Sequence, residues 1–232
     1  MSSSPLAQRL HALRQQIADS CQAAGRPTDS VELLAVSKTF PHELVAEAYQ
    51  LGLQRFGENR AQDLRARAEY FPTNGPRWVM IGHAQTNKAR DIVRYAHELQ
   101  SLDRLPLAEA LERRLQRAGH GLDVLIQLKT AREDSKFGLD PEALPEFMRQ
   151  LQDFPALRVR GLMTMATQTD DEAEIRRCFR LARTWRDRLQ NEGYAEVQRL
   201  SMGMSHDFAL AIAEGATEVR VGSALFGARD AA

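Results

Sequence analysis

The run Val31-Glu32-Leu33-Leu34-Ala35-Val36-Ser37-Lys38 sets the reading of the whole chain. Its centre, Leu33-Leu34-Ala35-Val36, is apolar without interruption rather than alternating, the mark of a strand covered on both faces in a parallel sheet. Val124-Leu125-Ile126 repeats the feature. From Val31 onward such short runs alternate with longer amphipathic stretches, which is the order of βαβ units. Strands are predicted at 31–38, 54–57, 78–82, 98–102, 123–129, 158–163, 199–202 and 218–221. Helices are predicted at 41–52, 60–70, 87–97, 105–119, 141–152, 171–192 and 205–215, with Pro41 and Pro141 at starts and Gly119 and Gly215 at ends. Eight strands in 232 residues read as one α/β domain, a single (β/α)8 TIM barrel spanning 31–227 of a one-domain chain, 1–232. An extra N-terminal helix within 1–25 lines up Leu6, Leu10, Leu13 and Ile17, and is expected to pack on the bottom or side of the barrel.

Composition narrows the partners. Lys plus Arg equals Asp plus Glu at 31 each, so no net field marks the chain for nucleic acid or a membrane surface. The polar N-terminus lacks a signal-peptide core, and no span of about 18 apolar residues exists. Cys21 and Cys178 stand far apart in helical stretches, without metal-ligand spacing. Two free thiols and a cytoplasmic location are expected. No His, Asp and Glu cluster has metal spacing, and neither a P-loop nor a Gly-x-Ser-x-Gly turn occurs.

A barrel carries its chemistry at the C-terminal ends of its strands. The first strand delivers Ser37-Lys38-Thr39 there. Partial desolvation at that place favours the neutral amine, which attacks aldehydes. Taken alone, a strand-end lysine reads better as one that snorkels to solvent. The last strand runs Glu218-Val219-Arg220-Val221 into Gly222-Ser223-Ala224, small residues that let backbone N–H groups approach a phosphate, where barrels commonly bind one. The same tripeptide also suits a plain tight turn. The seventh strand leads to Ser205, expected as an N-cap facing the same place. Strands seven and eight are neighbours, so these candidates converge. The loops at Phe56-Gly57-Glu58-Asn59, at 81–88, where His83 lies, and at Ser135-Lys136-Phe137-Gly138 are polar and glycine-bearing, as loops usually are.

Taken in order, Ala35-Val36-Ser37-Lys38, Phe56-Gly57-Glu58-Asn59, Gly82 with Gln85-Thr86-Asn87-Lys88, Gly161-Leu162-Met163, Ser201-Met202-Gly203-Met204-Ser205 and Val219-Arg220-Val221-Gly222 closely resemble the pyridoxal phosphate homeostasis protein family. The resemblance covers nearly the whole chain. It implies the fold-type III barrel shared with the N-terminal domain of alanine racemases, and pyridoxal 5′-phosphate held as a Schiff base on Lys38. It further implies Ser205 with the backbone of Gly222 and Ser223 at the phosphate, Arg220 against the pyridine nitrogen, and Asn59 at the ring.

Arg220 has a chemical meaning of its own. A guanidinium does not give up its proton at neutral pH, so it donates to the ring nitrogen and keeps that nitrogen unprotonated. The ring is then a poor electron sink, which argues against transamination and decarboxylation and leaves racemisation open. Racemisation needs a second acid or base opposite the lysine. In alanine racemases that group is a tyrosine from the other subunit's C-terminal domain, which this chain is expected to lack. Tyr49, Tyr70, Tyr95 and Tyr194 all fall in or beside helices away from the expected mouth. The leading expectation is therefore a monomeric carrier with no catalytic residue, which buffers cofactor or delivers it to apoenzymes and affects amino-acid and keto-acid balance indirectly. The rival is a slow racemase borrowing its second base from His83, Lys136 or water. A third class, a phosphosugar-type barrel enzyme with an ordinary Lys38, predicts no chromophore.

Overall fold

The computed structural model describes residues 4–132 and 137–227. Eight parallel strands close a barrel in chain order: β1 (Glu32–Val36), β2 (Arg55–Glu58), β3 (Arg77–Met80), β4 (Glu98–Leu102), β5 (Leu122–Leu128), β6 (Leu157–Thr164), β7 (Arg199–Ser201) and β8 (Glu218–Val221). β1 pairs with both β2 and β8, which shuts the cylinder. Around it run α1 (Pro5–Ala23), α2 (His42–Gln50), α3 (Ala61–Tyr70), α4 (Ala89–Tyr95), α5 (Leu105–Ala118), α6 (Leu144–Leu151), α7 (Glu172–Asn191), α8 (Phe208–Ala213) and α9 (Ser223–Phe226). The helices bury the stripes their sequences predict. Leu107, Leu111 and Leu115 of α5 are fully buried, and Gly119 ends that helix at φ 72°, a conformation that favours glycine. Asp171 starts α7 by accepting from the N–H of Ala173 at 2.9 Å.

The extra helix lies on the side of the barrel, against α8 and α9 beside the seam between β8 and β1. Leu6, Leu10, Leu13 and Ile17 are all buried, and each such side chain is worth roughly 1.5–3 kcal/mol of transfer free energy. Arg9 adds direction: its Nε donates to Leu225 O at 2.7 Å and its Nη2 to Phe226 O at 3.1 Å, satisfying carbonyls at the end of α9.

The interior is more polar than the apolar strand runs suggest. β4 and β8 are diametrically opposed in the strand order, so the 2.6 Å bond from Gln100 Nε2 to Glu218 Oε1 crosses the inside of the barrel. Arg55 and Arg199 reach Glu98 Oε2 at 2.8 and 2.7 Å, and Glu218 Oε2 at 2.6 and 2.7 Å. All four residues stand first in their strands, so this network closes the N-terminal end.

Two expectations need correction, and both bear on the mouth. β1 stops at Val36 instead of running to Lys38. The N–H of Ser37 still bonds Gly57 O at 3.1 Å, but Phe40 N–H returns to Ser37 O at 3.2 Å, so Lys38 sits in a turn beyond the strand. Ser205 is not a helix N-cap, because α8 begins at Phe208. Asp207 accepts from the N–H of Met204 at 2.6 Å and Phe208 N–H bonds Met204 O at 2.9 Å, so 204–207 folds as a turn. Cys21 and Cys178 are buried free thiols. Among the described residues no helix is long and apolar enough to cross a membrane.

Candidate functional site

At the C-terminal ends of the strands opens a cavity of about 400 Å3, and Lys38, Asn59, Ser205, Arg220, Gly222 and Ser223 all line it. That size suits a small molecule. Arg220 reaches it from β8 and is itself buried. Its Nη1 donates to Ser201 Oγ at 2.8 Å and its Nη2 to Thr164 O at 2.8 Å, so the fork is fixed by two uncharged acceptors. Burial pushes the pKa of Arg220 down, against the attraction of Glu218 and Asp207. A protonated guanidinium in such surroundings seeks an acceptor.

On the side of β7 and β8, the hydroxyl of Ser223 donates to Ser205 Oγ at 3.3 Å. Gly222 brings its backbone against β1: a Cβ there would stand 3.1 Å from Val36 O and 3.5 Å from Val36 Cβ. Opposite, Asn59 is held by the loop after β3, since a Cβ on Gly82 would fall 2.0 Å from Asn59 O. Only glycine permits that crossing. An amine, a cation, two hydroxyls and close glycine backbone in one cavity form a donor set that fits a small phosphorylated aromatic aldehyde.

Sequence reasoning missed much of the wall. Met163, Met165, Met204 and Ile81 give it an apolar side, of which Met165 fell within no quoted stretch. Phe137 lines the cavity too, stacked on His83 at 3.8 Å between ring centroids. His83 therefore belongs to the cavity, with Asp103 Oδ2 3.7 Å from its Nδ1. Ser135 and Lys136, the latter named as a rival base, lie outside the described residues. No tyrosine is among the described residues that line the cavity. Behind the turn of Lys38 lies a buried pair, Glu58 and Arg67, that the sequence reading did not single out. Burial raises the pKa of Glu58, with the Ser37 hydroxyl and Arg67 opposing. The signal in the sequence was slight, a carboxylate just past the predicted second strand, which the structure takes into β2.

A closed barrel with a lysine beyond its first strand and a buried arginine on its last belongs to a known class. The family described as "Alanine racemase, N-terminal domain" matches residues 8–230. The pyridoxal phosphate homeostasis protein of Aquifex aeolicus is 39% identical over 222 residues, 96% of this chain and 97% of that protein. The protein of the same name from Escherichia coli K12 is 36% identical over 230 residues, 97% of each chain. PipY of Synechococcus elongatus PCC7942, solved with pyridoxal phosphate bound, matches with a TM-score of 0.84 and 37% identity over 96% of this chain and 100% of PipY. The chain belongs to the pyridoxal phosphate homeostasis protein family.

Proposed function

We propose that this protein binds pyridoxal 5′-phosphate as an imine on Lys38 and serves intracellular homeostasis of that cofactor, buffering it or delivering it to apoenzymes without substantial turnover of its own. The observation that carries the reading is the convergence of Lys38, Arg220, Ser205, Gly222, Ser223 and Asn59 on one cavity. The cofactor seen in PipY, a relative at 37% identity, supports it. Ser205 and the backbone of Gly222 and Ser223 take the phosphate, Asn59 contacts the ring, and Lys38 condenses with the aldehyde, releasing water. When bound, the cofactor supplies an electrophilic carbon conjugated to a pyridine ring. Arg220 donates to the ring nitrogen and, staying protonated itself, leaves that nitrogen without a proton. The protein thus tethers the cofactor while withholding the pyridinium that stabilises carbanions.

Added pyridoxal phosphate is expected to give an imine absorbance band, and borohydride is expected to fix the label on Lys38. A Lys38→Ala variant should show neither while keeping its fold. A wild-type protein that stays colourless, or a variant that still traps label, overturns the reading. Among the described residues, His83 in the cavity with Asp103 behind it is the arrangement that favours the rival reading, a slow amino-acid racemase. Exchange of amino-acid α-protons in deuterated water separates the two, and robust turnover there sinks the non-catalytic reading.

A further inference from the structure

The turn that carries Lys38 is held from behind by one buried side chain. Arg67 projects from α3 and is 6% exposed, and its guanidinium bonds partners that lie outside α3. Its Nη2 donates to Ser37 O at 3.0 Å and also to Phe40 O. Those two carbonyls bracket Lys38 and Thr39. Its Nε donates to Glu58 Oε1 at 3.1 Å, which in turn accepts from Ser37 Oγ at 2.7 Å. Its Nη1 lies 3.0 Å from His42 Nδ1, at the first residue of α2. Arginine has no acceptor, so that ring nitrogen accepts. One guanidinium therefore ties the Lys38 turn, α2 and β2 together.

The turn needs holding. Thr39 has φ 69°, the one non-glycine residue with positive φ among those described. It is the third residue of a turn closed by Phe40 N–H and Ser37 O at 3.2 Å, a position where such a φ calls for glycine or asparagine. A β-branched residue in that region is strained, and strain of this kind persists only where surrounding contacts over-determine it. Arg67, grasping both ends of the turn, is that contact.

We propose that Arg67, with Glu58 as its counter-charge, is the positioning residue for Lys38: it fixes the strained turn so that the amine is presented to the cavity before any ligand arrives. This rests on the imine reading above. Arg67 does not line the cavity, so it acts on capture of the aldehyde and not on the phosphate or ring.

The test uses full-length Arg67→Met and Arg67→Lys proteins and two ligands. Pyridoxal 5′-phosphate reports imine formation by absorbance and borohydride trapping on Lys38. Its 4′-deoxy analogue has no aldehyde and reports the rest of the site alone. Arg67→Met is expected to weaken and slow aldehyde capture on the order of tenfold, while affinity for the deoxy analogue stays within about twofold of wild type. Arg67→Lys, which keeps the charge but lacks the fork, is expected to fall between. If Arg67→Met does not fold by circular dichroism, Arg67→Lys alone decides. Equal losses on both ligands would reduce Arg67 to a structural residue, and wild-type capture in the variant that decides would overturn the proposal outright. A wild-type protein that binds both ligands but never traps at Lys38 removes the imine reading, and this inference with it.

Discussion

Both ends of this barrel are built on arginines, half-buried at the closed end and buried at the mouth, and the two ends treat them in opposite ways. At the N-terminal end Arg55 and Arg199 meet two carboxylates, Glu98 and Glu218. Burial works against the charge on Arg199, but Glu218 and Glu98 outweigh it and raise its pKa. Burial likewise pushes Glu218 up, and Arg55 and Arg199 carry it back below the usual carboxylate range. At the mouth, Arg220 touches Ser201 Oγ and Thr164 O, and burial lowers its pKa. The closed end satisfies its charges internally. The open end keeps a cation beside neutral acceptors, ready for an acceptor from outside. Ser201 is the boundary, since its Oγ accepts from Arg220 and lies 2.8 Å from Glu218 Oε1.

The sharpest way to break this contrast is Glu218→Gln. Glu218 is fully buried, and its loss of charge leaves Arg199 to share Glu98 with Arg55, which also keeps the exposed Glu32. Breaking a fully buried ion pair costs about 3–5 kcal/mol, and with both arginines here half-buried and still paired the expected loss is about 2–3 kcal/mol, readable as a shift in the urea midpoint. The pH dependence follows the same carboxylate. Its folded pKa lies below the ordinary value of 4.5, so its stabilisation is present above that value and is lost as pH falls through the folded one. The variant should therefore lack part of the acid limb of the wild-type stability curve. A loss below about 1 kcal/mol would mean that the network contributes order but little stability.

Arg220→Leu tests the other end and is expected to do the reverse. It removes a buried cation whose fork is bonded to two neutral acceptors, leaving Ser201 Oγ and Thr164 O without that donor, at a cost of about 1–2 kcal/mol. The larger effect falls on the ligand: retention of pyridoxal phosphate should drop on the order of tenfold or more, measured by dialysis against competing apoenzyme. A variant as unstable as Glu218→Gln with its cofactor affinity intact would erase the distinction between the two ends.

How much of this was legible in the sequence divides along the same line. The apolar runs at Leu33 and Val124 and the spacing of strands reveal the barrel, because two-sided burial writes itself into consecutive residues. Lys38 and Gly222 could be chosen because they follow strands whose ends must meet, whereas the place of Arg220 came with the family resemblance. The ion network could not. Arg55, Glu98, Arg199 and Glu218 stand at strand starts, where charged residues ordinarily face solvent, and only closure of the barrel turns them on one another. Arg67 was hidden for a related reason: on α3 it looks like any helix-surface arginine, and its partners at 37, 40, 42 and 58 are local to a different element. The turn at 204–207 escaped because Ser205 and Asp207 are both good helix starters, and the bond from Met204 N–H to Asp207 chose between them.

The smallest expected effect is at Thr39, and it probes whether the mouth is held under strain while the closed end is not. Thr39→Gly should relieve about 1–2 kcal/mol of left-handed strain. The freer unfolded chain returns about 0.5–1 kcal/mol of that. The net is a stability gain of up to about 1.5 kcal/mol, visible as a slightly higher urea midpoint. Gly119→Ala, at φ 72° on the end of α5, supplies the opposite control and should lose about 1 kcal/mol. If Thr39→Gly is the more stable protein yet captures the aldehyde more slowly, the strain at Thr39 is a cost of rigidity, and that rigidity is what aims Lys38. If instead it loses more than about 1 kcal/mol, the threonine side chain itself secures the turn, and Arg67 shares the task of holding it.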